Sequence, residues 1–418
     1  MPPVNQFQDT SWLSMDGVRR LVNLLVLDQF FNHDNNEDFD KEFPIGATVR
    51  VPLPQQPGIR RGLTYTPEAT DIKQTTVVVD RVFGSDFKLN DVEYALNVVR
   101  GRERFKRDYL EPRTAKMAQE WDSESAKYAA IHTSQFVGVL GTTPTTFAGT
   151  SGTARQKLIE SACPPGGKRG MIIPPSVMTS LVSATANSFN PSEDISDAFR
   201  EGSYGYQGGF KWYESMSLYL HTAGTWQGAV TVNTTMTDGS NTLIVNCTSG
   251  DTFKAGDKIS VAGSYPVNQM TKQQTSTSPK TYGVITDVTA TSSTATLTLA
   301  PTTGIYGPSS LYQNVTALPT AGATVTLFPG TANPNGKQGY IGLALHPWAF
   351  ASVGVNLQVP NATEISTQNR DPKTGKAFRY VRMFDPIQSK MVNRFDTLGG
   401  YGDLLSDQCA VAVLCGVS

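Results

Sequence analysis

The sequence predicts an α+β protein into which a small all-β domain is inserted. Residues 44–82 are rich in Pro and Gly and β-prone at both flanks, which excludes a helix and predicts a long extended hairpin. Residues 101–133 space their apolar side chains as a long helix requires. Residues 225–336 carry few charges and alternate apolar with polar side chains, which predicts short strands.

The first 43 residues are predicted to form an N-terminal arm. Val18, Leu21, Val22, Leu25 and Val26 recur at roughly helical spacing, which indicates a short amphipathic helix. Polar residues interrupt the apolar run VRRLVNLLVLDQFF, and no small-residue cleavage site follows it. We therefore expect neither a leader peptide nor a membrane span in this region.

The predicted long helix carries one apolar stripe and one charged face. Leu110, Met117, Trp121 and Tyr128 form the stripe, and Pro112 is expected to kink the helix near its start. We interpret the stripe as plain protein core. Beyond this helix, residues 155–182 predict a helix, a loop, a buried strand and a further helix, and residues 195–222 predict a Gly/Tyr-rich loop followed by a strand.

The weakly charged block predicts a small β-barrel or sandwich. Its strand signals include the alternating residues Leu243, Val245 and Cys247. The string FKAGDKISVAG, residues 253–263, is typical of a hairpin because Gly256-Asp257 is a turn dipeptide and Ile259 alternates with polar neighbours. Residues 337–418 return to mixed character and end in CAVAVLCGV, which predicts a central strand.

Residues suited to catalysis or metal binding are few. The four cysteines lack any C-x-x-C spacing and the four histidines lack metal-site spacing, so neither a zinc site nor a disulfide framework is indicated. Asp403 and Asp407 are expected to be solvated or capping residues. No nucleophile or nucleotide motif occurs, and a net charge of −1 argues against tight sequence-specific nucleic-acid binding. We predict no enzyme activity and no cofactor.

Two strings resemble the major capsid proteins of tailed bacteriophages, closest to the coat proteins of short-tailed phages with an inserted β-barrel. The first is K-x-G-D-K-I-S-x-A-G followed by Q-M-x-K, which here comprises Lys254, Gly256, Asp257, Lys258, Ile259, Ser260, Ala262, Gly263, Gln269, Met270 and Lys272. The second is L-S-x-x-C-x-x-A-x-x-x-G-V, which comprises Leu405, Ser406, Cys409, Ala412, Gly416 and Val417.

The resemblance implies the capsid fold of that family. Residues 1–43 would be its N-terminal arm and 44–82 its extended loop. Residues 83–224 would hold the spine helix, the peripheral domain and the first part of the axial domain. Residues 225–336 would be the inserted barrel, and 337–418 the remainder of the axial and peripheral domains.

The implied function is a major capsid protein that self-assembles, through pentamers and hexamers, into the icosahedral shell around a double-stranded DNA genome. The implied partners are copies of the chain, a scaffolding protein, a portal and DNA contacted non-specifically, with no membrane. Its location would be the virion, after assembly in the host bacterial cytoplasm. Six residues are hypothesised to contact neighbouring subunits: Arg50, Arg60, Arg61, Lys73, Asp257 and Lys258.

An alternative interpretation is a secreted or cell-surface β-rich protein that binds carbohydrate or mediates adhesion. The Thr-rich block and four N-x-S/T sequons favour it, whereas the long charged helix and the missing export signal argue against it.

Overall fold

The structure is a computed structural model. It describes the following residues: 11–34, 48–57, 62–63, 72–90, 102–146, 148–165, 169–185, 205–328, 336–360, 365–387 and 390–417. Within these ranges, no helix is both long enough and apolar enough to cross a membrane.

The helices are short except for one. The α-helices are α1 (Ser11–Leu24), α2 (Arg102–Phe105), α3 (Glu111–His132), α4 (Thr153–Glu160), α5 (Pro175–Thr185) and α6 (Ser406–Cys409). A 3₁₀ turn covers Asp28–Phe30, and π-helical turns cover Lys106–Leu110 and Ala148–Gly152.

The first sheet has six strands. Its order is β1-β2-β20-β19-β18, and β17 also pairs with β20. The strands are β1 (Thr48–Pro52), β2 (Gln74–Asn90), β17 (Phe350–Val355), β18 (Ile365–Arg370), β19 (Ala377–Asp385) and β20 (Lys390–Asp403). β1 and β2 are neighbours, as the hairpin prediction requires, and β2 runs beyond the predicted end of the loop at residue 82.

The second sheet has seven strands. Its order is β3-β21-β16-β4-β6-β5, and β7 also pairs with β16. The strands are β3 (Gln135–Gly138), β4 (Gly170–Ile173), β5 (Tyr206–Gln207), β6 (Phe210–Glu214), β7 (Tyr219–Thr222), β16 (Gln338–Leu345) and β21 (Ala410–Leu414). Every residue of β21 is buried, and the strand pairs on both sides, so the predicted central strand at the end of the chain is confirmed.

The third assembly of strands is a closed barrel in the order β11-β12-β14-β9-β8-β15. Its strands are β8 (Val230–Val232), β9 (Thr242–Asn246), β11 (Lys258–Val261), β12 (Thr281–Val284), β14 (Thr294–Ala300) and β15 (Thr324–Leu327). A separate pair joins β10 (Thr252–Phe253) to β13 (Val288–Thr289). The alternating residues Leu243 and Val245 are both fully buried in the barrel core. The choice between barrel and sandwich is thus settled in favour of the barrel.

The hairpin predicted for residues 253–263 is wrong. The turn exists, and Gly256 adopts φ +102°, a conformation that glycine reaches without steric cost. The strands on its two sides pair elsewhere, however: β10 pairs with β13, and β11 pairs with β12 and β15. All four residues of β11 are buried, so the predicted alternation of buried and exposed side chains is also absent from it.

The chain divides into two compact units. Unit 1 comprises Met1–Arg50, Thr76–Ser125 and Ala351–Gly402, and unit 2 comprises Val51–Thr75, Ala126–Phe350 and Asp403–Ser418. The barrel lies wholly within unit 2. Helix α3 contributes residues to both units.

The predicted long helix is confirmed, with an irregularity at its start. The π-helical turn Lys106–Leu110 ends two residues before Pro112, which has no N–H for the usual bond to the fourth residue before it. The predicted apolar stripe is largely core: Leu110 and Trp121 are fully buried, and Met117 is nearly so. The N-terminal helix begins earlier than predicted, at Ser11, and ends at Leu24.

Candidate functional site at the base of the barrel

Three residues of the barrel fasten it to the rest of unit 2, and we call them the barrel base: Asp257, Lys258 and Lys280. All three are buried. Asp257 and Lys258 belong to the string that carries the capsid resemblance.

Lys258 caps the carboxyl end of helix α3. Its Nζ donates to the carbonyl oxygens of Ala130, at 2.8 Å, and Thr133. The last carbonyls of a helix have no partner within the helix and attract positive charge, so a lysine suits this position. Burial lowers the pKa of Lys258 to about 7, against the opposing effect of the neighbouring Asp257 carboxylate.

Gly283, on the adjacent strand β12, makes room for this contact. A Cβ atom placed there would lie 2.8 Å from the carbonyl oxygen of Thr133 and 3.1 Å from Lys258 Nζ. Any larger residue would therefore separate the barrel from the end of the helix.

Asp257 holds the connection that leads into the barrel. Its carboxylate accepts hydrogen bonds from His221 Nε2 at 2.8 Å and from the Gly224 amide at 3.2 Å. It also accepts one from the Lys254 amide at 2.7 Å, which closes the turn before β11. One carboxylate thus joins the end of β7, the entry segment and the first turn of the barrel.

Lys280 forms the third attachment through a buried ion pair. Its Nζ lies 2.6 Å from Asp407 Oδ2, and Ser134 donates to the other oxygen of that carboxylate at 2.7 Å. Asp407 was expected to be solvated or capping, and it is instead 7% exposed. That expectation was wrong because nothing local in the sequence places Lys280 beside it, 127 positions away.

A cavity of about 420 Å³ opens beside this ion pair. Its walls come from helix α4, from the barrel segment 266–281 and from Phe136, Phe328 and Asp407. The rings of Phe136 and Phe328 meet at 5.0 Å between centroids. The barrel base is therefore flanked by an open groove rather than by a continuous packed interface.

Lys73 anchors the root of the extended loop in unit 2. Its Nζ lies 5.3 Å from the ring centroid of Tyr306 and 5.7 Å from that of Tyr312, both in the barrel region. Its carbonyl accepts a hydrogen bond from the Leu53 amide at 2.8 Å, which ties together the two ends of the loop. Gln56 Nε2 adds a contact of 2.6 Å to Gln269 Oε1.

The residues proposed from the sequence as subunit contacts thus fall into three groups. Arg60 and Arg61 lie outside the described residues. Arg50 is exposed and Lys73 is partly exposed. Asp257 and Lys258 are each 2% exposed and bind groups of the same chain, so they offer a neighbouring subunit little surface.

Unit 1 contains a comparable buried cluster, which we call the Asp28 cluster: Asp28, Trp121, Ser352 and Lys376. Lys376 Nζ lies 3.2 Å from Asp28 Oδ1, donates to Ser352 Oγ at 2.7 Å and stands 3.7 Å from the Trp121 ring centroid. Ser352 Oγ in turn donates to Asp28 Oδ1 at 2.5 Å. The cluster holds the segment after helix α1 against helix α3.

Burial and the charges of neighbouring groups together set the pKa values in this cluster. Burial raises the pKa of Asp28, but Lys376, His33 and Ser352 outweigh it, so the pKa lies below its usual range. Burial lowers the pKa of Lys376 to about 8 despite the facing carboxylate. Burial raises the pKa of the neighbouring Asp122 to about 6, although Asp122 accepts hydrogen bonds from the Val26 and Leu27 amides.

The long helix and the six-stranded barrel fastened beside the helix end fit one class of protein. They are the parts of a major capsid protein of a tailed bacteriophage, as the resemblance implied. The family model described as P22 coat protein, gene protein 5, matches residues 46–335, and the chain belongs to this family. The adhesion alternative is not favoured.

Several solved phage structures are similar to this chain at low identity. A protein of Mycobacterium phage Che8 is 12% identical, with a TM-score of 0.48, over 94% of this chain and 92% of that one. The capsid structure of cyanophage P-SCSP1u is 13% identical, with a TM-score of 0.40, over 89% and 84%. The mature capsid of bacteriophage PhiM1 is 11% identical, with a TM-score of 0.41, over 88% and 82%. No curated protein matches the chain significantly.

Proposed function

We propose that this chain assembles with copies of itself into the icosahedral shell that encloses the double-stranded DNA of a tailed bacteriophage. The family match over residues 46–335 carries the proposal. Its role is structural rather than enzymatic. Assembly in the host cytoplasm, a scaffolding protein and a portal belong to the same proposal.

In this proposal, the extended loop contacts a neighbouring subunit. Its root is held by Lys73 against two tyrosines, so the loop leaves a fixed point on unit 2. Arg60 and Arg61, together with exposed Arg50, would pair with acidic residues of the neighbour in this proposal. Closed rings need two different surfaces that meet around each ring, and in this proposal the loop supplies one of them.

Asp257 and Lys258 support assembly from inside the subunit in this proposal. They fix the barrel to the helix end and to its entry segment. A barrel held at several points presents its outer surface in one orientation to the next subunit. Individually weak contacts then suffice, since each subunit makes several at once.

The net charge of −1 bears on the packaged genome. Strong binding to DNA requires many Lys and Arg side chains that neutralise phosphates. A nearly neutral subunit instead confines the DNA with few specific contacts. Raising the salt concentration should therefore change the stability of filled shells less than it would for a basic DNA-binding protein.

Electron microscopy of the purified protein, with sedimentation velocity on the same sample, tests the proposal. We expect closed shells, partial shells or tubular assemblies, with the neighbouring phage reading frames co-expressed to supply a scaffolding protein. A folded monomer that stays inert under co-expression would contradict a shell function.

The loop contact has its own test. The double variant Arg60→Glu and Arg61→Glu should remain a soluble folded monomer but should not form shells. The double variant Lys127→Glu and Lys373→Glu, at two exposed lysines, makes the same change in net charge and serves as the control. Normal shells from the loop variant would remove Arg60 and Arg61 from the proposed interface.

A further inference from the structure

Unit 2 brings together two cysteines and one histidine that are far apart in the sequence. Cys163, His346 and Cys409 each offer one ligand atom, and these atoms all lie within 4.8 Å of one another. The three residues are 7%, 3% and 0% exposed. From this convergence we propose that Cys163, His346 and Cys409 form a binding site for a zinc ion.

The backbone holds the three residues firmly. Cys163 follows helix α4, and its amide bonds the Leu158 carbonyl at 3.0 Å. Ala162, just before it, has φ +63°, a left-handed conformation that non-glycine residues rarely adopt and that turns the chain sharply at this point. The His346 amide bonds the Cys409 carbonyl at 2.9 Å, which links the end of β16 to the start of β21.

The donor set fits zinc in chemistry and in size. Thiolate and imidazole are the ligands that zinc prefers, and a site with three protein ligands leaves the fourth position for water. Two thiolates bound to zinc at about 2.3 Å in a tetrahedron stand about 3.8 Å apart. Ligand atoms within 4.8 Å therefore need to move inward by only about 1 Å, which side-chain rotation supplies.

Two neighbouring groups bear on zinc binding, one through its charge and the other through its hydrogen bond to His346. The Arg169 side chain lies near the Cys163 thiol, and a zinc ion bound by two thiolates is a neutral unit that does not repel the guanidinium. The Trp348 amide donates to His346 Nδ1 at 3.3 Å. Zinc binding would break this long hydrogen bond. If Nδ1 binds the ion, its lone pair is used, and if Nε2 binds the ion, Nδ1 carries the ring proton and can no longer accept.

Occupancy of this site would clamp three elements of unit 2. The ion would join the end of helix α4 to the ends of the two central strands β16 and β21. A ligand that binds only the folded state stabilises it, so zinc should raise the resistance of the subunit to unfolding. This inference concerns the single chain and does not depend on assembly.

The test is zinc titration of the full chain, reduced and freed of metal by a chelator, with bound metal measured by elemental analysis. We expect one tightly bound zinc ion per chain. Cobalt in place of zinc should give the near-ultraviolet absorption of cobalt–thiolate bonds. Both signals should be lost in Cys163→Ser and in His346→Gln, and both should persist in Cys247→Ser, whose thiol lies in the barrel region.

If a ligand variant does not fold, experiments on the wild-type chain still test the proposal. In that protein, at a urea concentration that partly opens the folded chain, zinc should slow the alkylation of Cys163 and Cys409, as read by peptide mass spectrometry. Stoichiometric zinc that survives Cys163→Ser would place the ion elsewhere. A failure to bind zinc, or a Cys163–Cys409 disulfide as the main form of protein purified from a reducing cytoplasm, would overturn the site.

Discussion

Each compact unit buries a lysine beside helix α3, but the two lysines have different kinds of partner. Lys376 in unit 1 faces the Asp28 carboxylate at 3.2 Å. Lys258 in unit 2 faces the carbonyls of Ala130 and Thr133 at the helix end. Loss of the first lysine removes the ammonium group that faces a buried carboxylate, whereas loss of the second leaves neutral carbonyl oxygens.

The pKa values of the two lysines reflect this difference between their partners. Burial lowers both, to about 8 for Lys376 and about 7 for Lys258. The facing carboxylate keeps the ammonium form of Lys376 more favourable. An ion pair therefore secures the N-terminal segment in unit 1, while one of the barrel's attachments in unit 2 is a cation at a helix end, which titrates closer to neutral pH.

The largest expected loss of stability comes from replacing Trp121 in the Asp28 cluster. Trp121 is fully buried and lies under Lys376, so Trp121→Ala should lower the free energy of unfolding by about 3–5 kcal/mol. Urea unfolding followed by circular dichroism measures this. The control Trp348→Ala removes a ring that is 46% exposed and should cost much less. A loss below about 1 kcal/mol at Trp121 would contradict its place in the core.

Replacement of each lysine by methionine compares the two sites directly. Lys376→Met removes the ammonium that faces the buried Asp28 carboxylate and should cost about 3–5 kcal/mol, because removing one partner of a buried ion pair is strongly destabilising. Lys258→Met should cost about 1–3 kcal/mol, the usual cost of unsatisfied neutral acceptors. Denaturant unfolding of both variants at neutral pH checks the order.

A rescue variant completes this comparison. Asp28→Asn combined with Lys376→Met removes both charges and should recover part of the loss caused by Lys376→Met alone. Equal stability of the single and double variants would show that the ion pair is not the main source of the effect. A larger loss at Lys258 than at Lys376 would reverse the interpretation of the two sites.

The pH dependence of stability tests the Lys258 contact by itself. The pKa of Lys258 is about 7 in the folded chain and 10.5 as its ordinary value, so between these pH values the unfolded chain binds more protons. The free energy of unfolding should therefore rise with pH across this window, by at most about 1.4 kcal/mol per pH unit. This contribution should be absent from Lys258→Met. Parallel pH profiles for the two proteins would mean that Lys258 titrates normally.

The smallest expected effect is at the root of the extended loop. Lys73→Ala removes the cation beside Tyr306 and Tyr312 and should cost about 0.5–1 kcal/mol. It should also speed limited proteolysis within residues 53–72. Lys73→Arg keeps the cation and should behave like the wild-type chain. Unchanged proteolysis of Lys73→Ala would show that this contact does not hold the loop.

Local patterns were enough for the main elements of the fold. The apolar stripe through Leu110 and Trp121 predicted the long helix, since helical spacing puts these side chains on one face. Alternation at Leu243 and Val245 predicted barrel strands, and the apolar run at the end of the chain predicted the central strand β21. The turn at Gly256 was also correct, but the pairing of the strands beside it was not.

The sequence by itself indicated the long helix, the inserted barrel, the final central strand and the family, because these depend on residues that are close together or on strings kept in order. The tertiary structure alone decided the partners of its buried polar groups. Lys258 meets the end of helix α3, Lys280 meets Asp407, and Cys163 meets His346 and Cys409 only after the chain folds. Strand pairing and charge burial depend on contacts between residues far apart in sequence, and no local spacing records them.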